Sequence, residues 1–415
     1  MHNKLRRFRL NFMLYPSVPR SYKTVLLILL FFSSFLYADR SKNSDNNIEK
    51  IDRNFAPSKF GDIKPIYMSA LKKPFVLEGF AWFDKEGLLN RIPKSVDRKD
   101  VNYGVISLAV HTSGGVVRFR TDSPFITLRA RLNKTTPIFG HMPDTGSSGF
   151  DLFCETNIYL KTVNPRHNAH ATPEVLEVLL YKKSKNSPRK MRDYSLYLPL
   201  YNGIKTLEMG VEAGAKFESV RPHKIPKPVL FYGSSITQGA CASRPSNSYV
   251  AMLARKLDFP MINFGFSGSA KGEKKMAQLI ASLDLAAFVL DYDYNAPDIE
   301  HLKKTHEPFF KIVRKAHPDL PIVILGKIEA GKSARADVIR KTYENAVAAG
   351  DKKVWYVPSP ELVKGVDMSY MLVDGCHPND LGFYVMFKNV LPVLKKALES
   401  SADGNLGAQK KEAGN

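Results

Sequence analysis

Four short stretches of the 415-residue chain hold side chains that could act together on an acyl group. GSSITQG (233–239) offers two adjacent serines, Ser234 and Ser235, at the end of the apolar run VLFY. A serine hydroxyl attacks carbon only when a base takes its proton and when donors hold the oxyanion that forms. VDGCHPNDLG (373–382) supplies a base, His377, with Asp374 three residues before it. A carboxylate there can hold the imidazole in the tautomer that accepts the serine proton. NFGFSGSAKG (263–272) is rich in glycine, which lets backbone N–H groups approach a substrate oxygen, and DYDYNAP (291–297) carries the amide of Asn295. On residue type alone either serine fits the nucleophile's place. Singly, each stretch also has a plainer reading as a turn, a bend or a helix cap. The chain has no G-x-x-x-x-G-K-[ST] phosphate loop, no G-x-G-x-x-G fingerprint and no G-x-S-x-G elbow.

The elements around these stretches fall into two patterns. Between Phe75 and Val211, strand signals recur: FVLEGFAWF, GVISLAV, VVRFRT, FITLRARL, VLEVLLY, YSLYLPL and IKTLEMGV, divided by Gly, Pro, Asp and Asn. Ile126, Leu128, Ala130 and Leu132 alternate with polar residues, the period of a half-buried strand, and the region reads as an all-β sandwich of jelly-roll type. After RPHKIPKP (221–228), short apolar strands alternate with helix-length segments: VLFYG, PMINFGF, AAFVLDY, PIVILGK and KVWYV each precede one. In the third of those helices Ile299, Leu302, His306, Phe309, Phe310 and Val313 share one face. Five such repeats imply a parallel α/β sheet covered on both faces, with ligands at the carboxyl ends of its strands. Three of the four chemical stretches fall at successive strand ends, and the fourth lies just ahead of the last helix.

In this order and spacing the four blocks resemble the SGNH or GDSL hydrolase superfamily of esterases and lipases, over roughly residues 227–400. The resemblance implies a flavodoxin-like α/β domain with Ser235 as nucleophile, His377 as base and Asp374 as its acid. It further implies an oxyanion hole of the Ser235 N–H, the Gly268 N–H and the Asn295 amide. Ser234 stands where the family pattern has aspartate, and DYDYN replaces the usual G-x-N-D. GFDLF (149–153) with LPLYNGIKTLEMGV (198–211) is similar to the GxDLY-type N-terminal domain that precedes one branch of these hydrolases. Together these imply hydrolysis of carboxylic esters through an acyl-enzyme, with O-acetyl groups on carbohydrate as the expected substrate. An acyltransferase with the same triad, a lipase or lysophospholipase, and a non-catalytic glycan-binding protein are the competing readings. In the sandwich, the loop HMPDTGSSGFD (141–151) is expected to overhang the site, with His141, Asp144 and Asp151 as substrate-binding residues. His301, His306, His317, His167 and His170 read as helix-face or loop residues; no metal or cofactor is expected. Cys241 and Cys376 flank the nucleophile and the base, so the meeting of their loops predicts a bracing disulfide, against the alternative of two thiols; Cys154 would be free.

The expected organisation is a signal peptide over 1–38, an arm over 39–70, the sandwich over 71–222, the hydrolase domain over 227–400 and a disordered tail over 401–415. The first 23 residues hold six basic residues and no acid, and the uncharged run TVLLILLFFSSFLYA (24–38) has the length of a secretory core. Export is therefore expected, with membrane contact only if the segment stays uncleaved. The net charge of +21 falls to +15 without that segment, and nothing organises the remainder into a basic helix or RNA motif, so no nucleic-acid partner is expected. The expected partner is a small-molecule or oligosaccharide ester.

Overall fold

The computed structural model describes residues 60–134, 139–165, 175–184 and 186–412. The proposed signal peptide, most of the arm, and His167 and His170 lie outside the described residues. The first ten strands are β1 (Ile66–Ser69), β2 (Val76–Glu78), β3 (Val116–Thr121), β4 (Phe125–Leu132), β5 (Phe150–Cys154), β6 (Ile158–Val163), β7 (Leu176–Lys182), β8 (Arg192–Tyr197), β9 (Ile204–Val211) and β10 (Phe217–Glu218). One antiparallel sheet runs β1-β9-β4-β7 and the other runs β10-β3-β8-β5-β6, with β2 added on β3. The alternation in β4 does its predicted work: Ile126, Leu128 and Ala130 are fully buried against Val117, Phe119 and Leu196 of the facing sheet. Each leucine or phenylalanine buried so contributes about 1.5–3 kcal/mol. The expected arm ends in structure, because β1 pairs with β9 from Ile66 to Ser69.

GVISLAV, expected as a strand, is instead helical. Helix α1 (Tyr103–Ala109) starts at Asn102, whose side chain accepts from the N–H groups of Gly104 and Val105. That cap satisfies donors a strand would not leave free, and it makes Val105 and Ala109 one helical face. The face does not join the sandwich core. It packs with Ile92, Val96 and Val101 onto Leu230, Phe264 and Ile280 of the α/β half. Gly104 is required there, since a Cβ would sit 2.0 Å from Ser269 Oγ. FVLEGFAWF likewise holds only a three-residue strand, β2, because Gly79 turns the chain at φ +94°.

The second half contains β11 (Val229–Gly233), α2 (Ser235–Gln238), α3 (Tyr249–Leu257), β12 (Met261–Gly265), α4 (Lys274–Ala281), β13 (Ala287–Asp291), α5 (Ile299–Ala316), β14 (Ile322–Leu325), α6 (Ala334–Ala348), β15 (Val354–Val357) and α7 (Asp380–Glu412). All four pairings are parallel and the order is β12-β11-β13-β14-β15. Every residue of β11, β12 and β13 is buried, as a sheet covered on both faces demands. β11 lies between β12 and β13, so the chain reverses its direction of sheet growth there. The crevice at the carboxyl ends of these strands is where such a fold receives a ligand. The expected tail is corrected in its first part, because α7 continues as helix to Glu412. No proline follows Pro392 to interrupt it.

Candidate active site

Ser235 opens α2 directly beyond β11. Ser234 is the N-cap: its Oγ accepts from the Ile236 N–H at 3.2 Å, in extended backbone. The residue that departs from the family pattern thus holds the first turn of the helix that Ser235 opens. Gly239, at φ +102°, ends the turn in a conformation only glycine enters freely. Beneath, buried Asp291 accepts from Thr237 Oγ1 at 2.6 Å and from the Tyr249 hydroxyl at 2.7 Å. Burial pushes its carboxyl up to about 7, against the lowering effect of those two donors. Sequence reasoning missed Asp291; its signal was a carboxylate closing an otherwise apolar strand.

Ser235 Oγ lies 2.9 Å from His377 Nε2, and His377 Nδ1 lies 2.7 Å from Asp374 Oδ2. The Asp374 carboxylate also accepts from the N–H groups of Cys376, at 3.0 Å, and His377, at 2.8 Å. Burial works to raise its pKa, yet these bonds hold it at about 2, so it stays ionised. Gly375, at φ +77°, makes the tight turn that lets Asp374 face the imidazole three residues on.

The loop after β12 meets α2 through two bonds: Asn263 Nδ2 donates to the Thr237 carbonyl at 2.7 Å, and the Ser267 N–H donates to Gln238 Oε1 at 3.0 Å. Gly268 sits at φ +64° in the turn closed by the Ser269 N–H on the Phe266 carbonyl, with open space where a Cβ would be. Asn295 Nδ2 donates to that same Phe266 carbonyl at 2.9 Å, which leaves one amide hydrogen for another acceptor. Two residues of the first half brace this loop. Arg91, fully buried, donates from Nη1 to the carbonyls of Asn263 (3.0 Å) and Gly265 (2.6 Å) and from Nη2 to Leu108 (2.7 Å). His111 Nδ1 lies 3.2 Å from Gln238 Nε2, and burial, with Arg91 and Lys134 nearby, lowers its pKa to about 3, so the neutral ring accepts. Neither was foreseen, since a lone Arg or His in the sandwich sequence carries no mark of reaching another domain.

Residues 226–395 match the family model described as GDSL-like Lipase/Acylhydrolase family. This region is a GDSL-like hydrolase domain. Residues 66–217 match GxDLY, the N-terminus of SGNH-hydrolase-type esterases, so the sandwich and the GDSL-like domain occur in their family arrangement. The chain is accordingly a carboxylic ester hydrolase by class. A crystal structure of a GDSL-like lipase from Bacteroides ovatus superposes with TM-score 0.70 at 28% identity, covering 81% of this chain and 98% of that one. A salicylyl-acyltransferase from a tetracycline biosynthetic pathway has TM-score 0.65 and 21% identity, covering 78% of this chain and 95% of its own. An acetyl xylan esterase from the rumen bacterium Butyrivibrio proteoclasticus has TM-score 0.54 and 13% identity, covering 81% of this chain and 100% of its own. The last two share the fold. No curated protein matches the chain.

Of the three expected substrate-binding residues, only His141 stands at the mouth of the GDSL-like site, exposed, with its ring 5.7 Å from that of His377 and 6.0 Å from Phe139. Asp144 opens a short helix, Asp144–Ser147, beside it. Asp151 is corrected: it is 0% exposed and accepts from Thr162 Oγ1 at 2.5 Å and the Ser246 N–H at 2.9 Å. It ties the sandwich to the chain after α2, because β5 turns its side chain inward against the second domain. The disulfide is also corrected, since all three cysteines are free. Cys241 Sγ contacts the His141 carbonyl at 3.7 Å, whereas the Cys376 N–H is committed to Asp374. The loops do meet, but through Ser235 and His377. His306 is a buried helix residue on Thr342 Oγ1 at 2.8 Å, while His301 and His317 bond the carbonyls of Lys271 and Ala281.

Proposed function

We propose that this protein is an exported serine esterase that removes O-acetyl groups from carbohydrate, with Ser235, His377 and Asp374 as its triad. The observation that carries the reading is the unbroken chain Ser235 Oγ to His377 Nε2 to Asp374, at 2.9 and 2.7 Å. Ser235 Oγ attacks the ester carbonyl carbon as His377 Nε2 takes its proton, and Asp374 balances the imidazolium. The oxyanion is held by the N–H groups of Ser235 and Gly268 and by the Asn295 amide. As the tetrahedral species collapses, the bond to the alcohol oxygen breaks and His377 returns the proton to it. Water then attacks the acyl-enzyme by the same route, releasing acetate and restoring the Ser235 hydroxyl.

Hydrolysis is favoured over acyl transfer because the base and its acid are open to water, with the Asp374 side chain 35% and the His377 side chain 19% exposed. A sugar substrate accords with the acetyl xylan esterase of like fold. Export rests on the basic N-terminal stretch and the apolar run at 24–38. Among the described residues no helix is long and apolar enough to cross a membrane. The test is hydrolysis of para-nitrophenyl acetate, longer-chain esters and acetylated oligosaccharides by wild type and Ser235→Ala. Equal rates for the two proteins would refute the nucleophile, preference for long chains would point to a lipase, and ester products with an added acceptor alcohol would point to acyl transfer. Cell fractionation of the full chain checks export.

A further inference from the structure

At the mouth of the triad, His141 and His377 each place a ring nitrogen, and Cys241 its Sγ, so that the three atoms lie within 4.8 Å of one another. The three side chains come from different places: the loop of the sandwich, the turn after α2 and the turn before α7. Two imidazoles and a thiol are the donor set preferred by zinc-class ions, which bind nitrogen at about 2.0–2.1 Å and sulfur at about 2.3 Å. Such bonds require the donors to draw together by about an ångström, a movement that falls to His141, the exposed donor of the three. His377 is already arranged as a ligand, because Asp374 holds its Nδ1 and leaves Nε2 facing the cluster. Carboxylate support of the far ring nitrogen is the usual second layer around a metal-bound histidine.

An independent observation concerns Cys241. Its backbone has φ +68°, in the left-handed region where a residue with a Cβ costs about 1–2 kcal/mol over glycine. The esterase steps make no use of its thiol, which is buried and turned toward His141 and His377. A cysteine held in a strained backbone with no part in the reaction points to another role for the sulfur.

We propose that His141, Cys241 and His377 form an inhibitory site for a zinc-class divalent cation. His377 Nε2 gives up the Ser235 hydroxyl and bonds the metal, and the Cys241 thiol releases its proton to solvent as the sulfur–metal bond forms. His141 closes the third position and water takes the fourth. With its lone pair on the metal, His377 cannot accept the serine proton, so turnover stops until a chelator withdraws the ion. Inhibition rests on the triad reading above; metal binding does not.

The experiment therefore reads both. Full-length protein, freed of metal and kept in a non-thiol reductant, is titrated with Co2+ and followed by absorption. The expected result is a sulfur-to-cobalt charge-transfer band with tetrahedral d–d bands, lost in Cys241→Ser and retained in Cys154→Ser and Cys376→Ser. Zn2+ is then titrated against para-nitrophenyl acetate hydrolysis. Wild type should lose activity and recover it with EDTA, while Cys241→Ser and His141→Asn, each referred to its own metal-free rate, should need at least about tenfold more Zn2+. Absence of the thiolate band, or its persistence in Cys241→Ser, would overturn the site. Co2+ bound through Cys241 with hydrolysis undiminished by Zn2+ would overturn its inhibitory role. A metal-free protein inactive on every ester, yet showing the Cys241-dependent band, would instead count against the esterase reading and leave the metal site standing.

Discussion

Ser234 is one of two places at which the chain departs from the pattern it resembles, and its hydrogen bond to the Ile236 N–H explains how that departure is accommodated. Serine and aspartate are both good N-caps, so the cap survives the exchange while a negative charge is removed from beside the nucleophile. Ser234→Ala is expected to lower stability by about 1 kcal/mol in urea unfolding, and Ser234→Asp to keep the cap. Asn295→Ala should lower kcat by about a hundred- to a thousandfold with a smaller change in KM, because its free amide hydrogen acts on charge that appears only in the transition state. A change confined to KM would assign Asn295 to substrate binding. Asp374, held at about 2, remains ionised from about pH 4 upward. Any loss of activity on acidification between pH 6 and about 4 should therefore leave Asp374 charged, which the infrared carboxyl band of wild type against Asp374→Asn checks.

At the scale of elements, the carboxyl edge of the sheet is held together from below. Asp291 at the end of β13 receives hydrogen bonds from α2 and α3, through Thr237 and Tyr249, and so locks the turn of Ser235 to its neighbours. Its folded pKa, near 7, lies above the ordinary aspartate value. The folded state therefore keeps a proton that the unfolded chain has already lost, and stability falls as pH rises from about 4 to about 7. Asp291→Asn should flatten that slope, removing a pH-dependent change of about 2–4 kcal/mol, measurable by urea unfolding at pH 5 and pH 8. An unchanged slope would mean that another group carries it. Helix α1 carries the corresponding lesson for prediction. Its apolar letters also suit a strand, and only the cap at Asn102 and the surface it covers decide between the two.

Across the whole molecule, the sandwich and the GDSL-like half share a core. Ile92, Val96, Val101 and Val105 cover Leu230, Phe264 and Phe288, Arg91 caps the carbonyls of β12, and His223 lies between Glu78 at 3.0 Å and Asp258 at 2.8 Å. Residues 227–400 produced alone should therefore be unfolded or aggregated, judged by circular dichroism and light scattering, whereas a folded, active fragment would make the sandwich dispensable. The amino-acid sequence by itself determined the two-part architecture and the five parallel strands, because apolar period is a local property of the chain, and its resemblance to a known family is what singled out Ser235, Gly268, Asn295, Asp374 and His377 for the proposed site. Only the tertiary structure decided that Asp151 is buried, that the cysteines remain free thiols, that Arg91 and His111 brace the loop of Gly268, and that His141 and Cys241 converge on His377. Those outcomes depend on which surfaces the two halves present to each other, and no local pattern encodes a contact between residues of different halves.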